Sequence, residues 1–417
     1  MKIFKFGGAS VKDAKGVRNL LNVLQKTGYE DILLVISAMG KMTNAFEKVS
    51  ESYFNKKDDL AKQVDSVKQF HLNIARELFS SKDPVIFKEI NNLFNELNVF
   101  FKNNTSTNYN YIYDQIVSKA EILSTKICSY YLLENQIKNE WLDVRSCILT
   151  DKNYRSARVN WTATCKRINS KVERPKIYVT QGFIAGNELG ETTTLGREGS
   201  DYTAGIFAYC LNADEVVIFK DVQGVLNADP RVFDKTILLD QVSYREAIEM
   251  AFYGASVIHP KTLQPLQRKE IPLHVRSFKD PLQKGTSVKK GLDLIPQTSC
   301  FIVKYNQILL SISDKEFSFI MENDISYIFE LLHRHRVKVN LIQNSAISFS
   351  VSIEDNFNNF NALLQELTEK FRVLYNKDLI LYTIRHYTKS SIKEIENNRE
   401  VILKQLSRET AQILIKE

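Results

Sequence analysis

No segment of the chain is apolar for long enough to cross a bilayer; the strongest run, "ILLVIS" at residues 32–37, has the length of a strand. The N-terminal apolar stretch is cut off at Gly7 and Gly8 without a small-residue cleavage site, so it does not read as a signal peptide. There is no block of five or six like charges, and lysine plus arginine exceed aspartate plus glutamate by only 56 − 49 = 7. So diffuse an excess favours acidic small molecules over nucleic acid, whose binders concentrate basic residues on a stripe or a helix. The five cysteines (Cys128, Cys147, Cys165, Cys210, Cys300) include no C-x-x-C pair and no histidine at ligand spacing. That excludes a zinc site and predicts reduced, mostly buried thiols in a cytoplasmic protein, with no disulfide framework. The Walker pattern and the dinucleotide fingerprint are missing as well.

What is present is 417 residues at 44% hydrophobic content, more than one core usually spans, so two or more domains are expected. From residue 2 to about 280, short β-branched runs alternate with amphipathic helical patterns, which predicts βαβ units around a parallel sheet. The clearest strands are "KIFKF", "DILLVISA", "KIYVTQGFIA", "EVVIFKD" and "PLHVRS". Between about 58 and 105 the pattern is helical only, with Ile86, Ile90, Leu93, Leu97 and Phe100 on one face, and reads as a helical subdomain packed beside the sheet. Beyond residue 295 the order is strand, helix, strand, strand, helix, strand, then a charged helix from about 391 to 406 and a last strand "AQILIK". Small α+β modules have this shape. The predicted division is 1–295 and 296–417.

Three stretches carry chemistry. "KIFKFGGAS" (2–10) brings a strand into two glycines, whose bare N–H groups can face an anion while Lys5 supplies a point charge; Lys5, Gly7, Gly8 and Ser10 therefore suggest a phosphate cradle, although a double glycine after a strand is more often a tight turn. "QGFIAGNELGETTTLGREGSDYTAGIFA" (181–208) reads as a strand, a long loop of glycines and hydroxyls, and a helix opening on Ser200 and Asp201. "FKDVQGVLNADPRV" (219–232) puts a turn beyond a parallel strand, at the sheet edge where α/β proteins bind nucleotides.

Together with "SAMG" (37–40), "WLDVRSCILTD" (141–151) and "GASVIHP" (254–260), these stretches resemble, in order, the aspartate kinase family of the amino-acid-kinase fold. The tail resembles the ACT-type regulatory region of such kinases, with its second module trimmed. The resemblance implies a three-layer αβα sandwich and an ATP-dependent kinase making 4-phospho-L-aspartate, the first step towards lysine, threonine and methionine. A carboxylate nucleophile is already ionised at neutral pH, so no general base is needed, in keeping with motifs that contain no catalytic histidine.

By the same resemblance, Lys5, steadied by Asp201, bridges the phosphates with Gly7, Gly8 and Ser37. Arg197 grips the α-carboxylate, Glu121 reads the amino group, and Thr43, Phe183 and Ser200 complete the substrate site. On local sequence alone Glu121 reads as a solvated helix carboxylate. Ser10, Lys220, Asp221, Leu226, Arg231, Ser256 and Val257 are assigned to ATP, with Mg2+ carried on its phosphates and no dedicated metal ligand.

Ala9, Ala120, Glu198, Leu226 and Ser256 depart from the commonest family pattern, and Glu198 adds unfavourable charge beside a phosphate site unless it points away. Asn340 and Asn344 stand where lysine-sensing members usually have an aspartate and a threonine, so a lysine or threonine effector is a hypothesis, and a homodimer or dimer of dimers the expected assembly. The rival of another class is a non-catalytic amino-acid sensor that kept the fold.

Overall fold

Strands buried on both faces read as continuous apolar runs, and two such runs, Ile32–Ile36 and Glu215–Lys220, lie on either side of Lys2–Phe6 at the middle of a sheet. The computed structural model describes residues 1–79, 84–255, 258–291, 293–316 and 318–416. Packing divides the chain into two compact units: Met1–Val225 with Leu238–Ile248 and Ser256–Pro296, and Leu226–Ile237 with Glu249–Ala255 and Gln297–Glu417.

The strands up to residue 289 are β1 (Lys2–Phe6), β2 (Ile32–Ile36), β3 (Glu140–Leu142), β4 (Leu149–Thr150), β5 (Ile177–Gln181), β6 (Ile184–Asn187), β7 (Thr192–Thr194), β8 (Glu215–Lys220), β9 (Gln241–Ser243), β10 (Leu273–Ser277) and β11 (Thr286–Lys289). The helices are α1 (Ala14–Thr27), α2 (Met42–Phe54), α3 (Leu60–Leu78), α4 (Pro84–Asn103), α5 (Tyr109–Glu134), α6 (Trp161–Lys171), α7 (Gly199–Leu211), α8 (Tyr244–Tyr253) and α9 (Pro260–Lys269). Eight strands form the main sheet in the order β3-β5-β2-β1-β8-β10-β11-β9, parallel except for β10 against β11. All five residues of β2 are buried, and neighbours along a strand point to opposite faces, so both faces are covered and the sheet is the middle layer of an αβα sandwich. α3 and α4 fill the helical stretch, with Ile86, Ile90, Leu93 and Leu97 buried as their spacing requires.

Three expectations are corrected. The glycine-threonine loop is largely a hairpin: β6 and β7 pair antiparallel beside β4, because Thr192–Thr194 are β-branched and find partners, Thr193 Oγ1 at 2.6 Å from Thr150 Oγ1 and Thr194 on Asp114. The last charged helix covers only Lys389–Glu396; Asn398 turns left-handed at φ 56°, and the β-branched stretch Glu400–Leu406 becomes a strand. Cys165 on α6 and Cys210 on α7 are joined by a disulfide, whereas Cys128, Cys147 and Cys300 are buried thiols.

The second unit contains β12 (Cys300–Asp314), α10 (Glu322–Arg334), β13 (Lys338–Asn344), β14 (Ser348–Glu354), α11 (Phe360–Lys370), β15 (Phe371–Arg385), α12 (Lys389–Glu396), β16 (Glu400–Leu406) and β17 (Thr410–Lys416). Its sheet is antiparallel throughout, in the order β13-β14-β12-β15-β17-β16. α10 and α11 pack on one half through Leu331, Leu363, Phe349 and Val351, and α12 on the other through Ile392, Ile395, Ile384 and Ile413.

Candidate active site

β1 delivers Lys5 and then turns at Gly7 and Gly8 at the carboxyl edge of the sheet. A Cβ on Gly8 would lie 2.7 Å from the Ala38 carbonyl oxygen and 2.8 Å from that of Gly40, so only glycine lets the two strand ends meet. Gly40 N donates to Gly8 O at 3.0 Å, which interlocks "KFGG" with "SAMG". Ser124 of α5 donates through Oγ to Ser37 O at 2.7 Å and ties that helix to the same edge.

Lys5 is buried, which is costly for an ammonium without a partner. Its partner is Asp201 in the first turn of α7, with Lys5 Nζ 2.6 Å from Asp201 Oδ1 and Lys220 Nζ, at the end of β8, 3.5 Å from Oδ2. Burial alone would raise the Asp201 carboxyl; the two ammonium groups overcome it and hold the group below its ordinary range, so the carboxylate is ionised. Glu198 stands at the N-cap position of α7 in a left-handed conformation, φ 55°, with no capping hydrogen bond from its side chain. It does not point away: it lines the same cleft, where burial and then the Asp201 charge push its carboxyl up towards the neutral form.

A cleft of about 450 Å³ brings together Lys5, Gly8, Ser37, Thr43, Glu121, Phe183, Arg197, Ser200 and Asp201. Glu121 projects from α5 and is 2% exposed; burial pushes its carboxyl up to about 8, against a hydrogen bond from the Ala38 backbone and the Lys5 charge. Its Oε2 has no hydrogen-bond partner among the described residues. Such a buried, unsatisfied carboxyl oxygen facing a polar cleft is suited to a cationic group on a ligand. No ion pair among the described residues engages Arg197, which is exposed and free to take an anion.

Residues 1–277 match the amino acid kinase family. The lysine-sensitive aspartokinase 3 of Escherichia coli (strain K12) is 30% identical over 397 residues, covering 92% of this chain and 86% of that protein. The chain belongs to the aspartokinases of the amino acid kinase family. The solved structure of E. coli aspartokinase III in complex with aspartate and ADP matches with a TM-score of 0.83 at 27% identity, over 100% of this chain and 96% of that one. The same aspartokinase in complex with lysine and aspartate gives 0.82 at 27% identity, over 99% and 95%.

Not every residue expected at the aspartokinase site reaches the cleft. Gly7 abuts Lys5, since a Cβ there would lie 3.4 Å from its Nζ. Ser10 is buried behind the turn, its Oγ 3.4 Å from Phe219 O, and so braces β1 against β8 without lining the cleft. Asp221 is exposed just past β8. Leu226 and Arg231 belong to the second compact unit, and Arg231 is exposed and paired with Asp229, Nη2 to Oδ2 at 2.6 Å. Ser256 and Val257 lie outside the described residues. Conversely, Tyr113 and Arg155 line the cleft and were not anticipated. Tyr113 stands two turns before Glu121 on one helix, a spacing that could have flagged it; Arg155 sits in an irregular loop with no periodic signal.

Proposed function

We propose that this chain transfers the γ-phosphoryl group of ATP to the side-chain carboxylate of L-aspartate, giving ADP and 4-phospho-L-aspartate. The observation that carries the reading is the Lys5–Asp201 pair, backed by Lys220 on the other Asp201 oxygen, in a cleft that Glu121 and Arg197 also line. One carboxylate oxygen of aspartate attacks the γ-phosphorus, the bond to the β,γ-bridging oxygen breaks, and its electron pair leaves on ADP. The nucleophile needs no deprotonation, so the protein contributes position and charge. Lys5 and Lys220 meet the charge spreading over the phosphoryl oxygens, and Asp201 fixes both ammonium groups in advance.

On this reading Glu121 takes the substrate ammonium, Arg197 grips the α-carboxylate in a bidentate manner, and the N-terminus of α7 at Ser200 favours the anionic end. Thr43, Phe183 and Ser37 shape the pocket around the acceptor. Magnesium arrives on the ATP phosphates, where it supplies positive charge; Asp201 is already shared by two ammonium groups and is a poor fit for a resident ion. Aspartate, Mg-ATP and hydroxylamine together should yield aspartyl hydroxamate, and Lys5→Ala or Asp201→Asn should abolish it. Aspartate binding without hydroxamate formation would favour the sensor.

For the second unit we propose a regulatory and dimer-forming role in a cytoplasmic enzyme. No helix among the described residues is long and apolar enough to cross a membrane. Lys304 Nζ donates to Asn340 Oδ1 at 2.7 Å, and Asn340 Nδ2 to Gln307 Oε1 at 2.8 Å. The chain's own ammonium thus occupies an amide that the family resemblance associates with effector recognition, which supports weak feedback by free lysine.

A further inference from the structure

Arg155 holds a backbone conformation that side chains rarely adopt, φ 65°, and such outliers persist where their surroundings impose them. The imposing group is Asp114 on α5, whose buried carboxylate accepts from Arg155 N at 3.1 and 3.2 Å, from Thr194 N at 2.9 Å and from Thr194 Oγ1 at 2.8 Å. The Arg155 carbonyl in turn abuts Gly196, where a Cβ would lie 3.2 Å from it. The loop carrying Arg155 is thereby keyed to the turn that presents Arg197. None of these contacts uses the guanidinium. Arg155 lines the cleft, and its guanidinium has Cζ 4.1 Å from the centre of the Tyr113 ring, itself a lining residue, and Nη2 3.0 Å from Glu47 Oε1 on α2.

Building on the aspartate-kinase reading, we propose that Arg155 is a specificity-determining residue for the acceptor, a second guanidinium that grips its α-carboxylate beside Arg197. The assignment follows from the charges that line the cleft. Glu121 answers the ammonium, Lys5 is committed to Asp201 and the phosphates, and the reacting carboxylate has to stay free to attack. One anionic group of aspartate remains, and Arg155 and Arg197 are the remaining cations lining the cleft among the described residues. A carboxylate has lone pairs enough for two guanidinium partners. Stacking on Tyr113 and pairing with Glu47 orient the planar head before the substrate arrives, which lowers the ordering cost of the contact.

Steady-state kinetics of the full chain with L-aspartate and with aspartate α-amide, which lacks the second negative charge, test this. Arg155→Gly is the decisive variant, because glycine accepts the left-handed turn and keeps the loop in place. Loss of one charge-assisted contact should raise the KM for aspartate about ten- to a hundredfold, with kcat within about twofold and the KM for ATP unchanged. Arg155→Lys should fall in between, and turnover of the α-amide should be the same in wild type and variant. An unchanged KM for aspartate in Arg155→Gly, or an equal loss towards the α-amide, overturns the inference while the kinase reading stands. A wild-type chain that makes no aspartyl phosphate overturns both.

Discussion

Aspartate binding should release a proton from Glu121. In the empty cleft burial pushes this carboxyl up to about 8, so at pH 7 roughly one site in ten is ionised. An ammonium against Oε2 requires the ionised form, so binding at pH 7 is expected to release about 0.9 proton per site, and the apparent Kd to fall about tenfold for each pH unit up to about 8 and then level off. The sign for stability is opposite to that of an ordinary paired carboxylate. Because the folded value lies above the unfolded 4.5, unfolding releases a proton throughout that window. Stability therefore declines as pH rises through it, by about 1.4 kcal/mol per unit and roughly 5 kcal/mol in all. Asp114, pushed up to about 6 by its own burial, confuses the lower end, so pH 6.5 to 8.5 is the informative range. Calorimetry in buffers of different ionisation enthalpy measures the proton count directly, and Glu121→Gln should remove both the release and the slope. A buffer-independent enthalpy with a flat Kd across that range would refute the reasoning, because Glu121 would then be ionised before the substrate arrives or would never meet its ammonium.

Asp201→Asn leaves the buried Lys5 ammonium and the half-buried Lys220 ammonium facing a neutral amide, and should cost about 3–5 kcal/mol of stability, read by denaturant titration, besides abolishing turnover. Gly8→Ala forces a methyl within 2.8 Å of two carbonyl oxygens; the displaced strand end should cut kcat by about a hundredfold or more, with a far smaller effect on aspartate binding. Free lysine is expected to take the place of the Lys304 ammonium, which burial pulls down to about 8, once that side chain is deleted: Lys304→Ala should show stronger lysine inhibition than the weakly inhibited parent, in a titration of initial rates. With a sequence separation of 45 between Cys165 and Cys210, reducing that disulfide should lower stability by about 4 kcal/mol on the loop-entropy account, and Cys165→Ser should make the melting temperature independent of reductant.

What could be read from the residues alone follows a physical division. β2 and β8 are buried on both faces and announce themselves as unbroken apolar runs; "KFGG" announces a close approach, because only glycine fits there. Glu121 was invisible locally, since a carboxylate on a long helix is ordinarily solvated, and nothing in its neighbours says that β2 and its "SAMG" turn seal it from water. The β6–β7 hairpin was hidden because threonine and glycine serve loops and strands alike, and the choice fell to Asp114, nearly eighty residues away. The Cys165–Cys210 link was missed for the same reason: it joins two helices whose adjacency is purely tertiary. Arg155 shows the limit most clearly, because its backbone angle is set by a buried partner and its side chain by Tyr113 and Glu47, each from a different element.

The helical excursion between α2 and α5 departs and returns at nearly one point, with the rings of Phe54 and Tyr109 only 5.1 Å apart. The two helices between them do not swing free of that junction: the Phe46 and Phe94 rings lie 6.3 Å apart, and Lys126 of α5 pairs with Glu89 of α4 at 2.7 Å. A substitution that shifts α3 or α4 therefore bears on α2 and α5, the helices that carry Thr43 and Glu121.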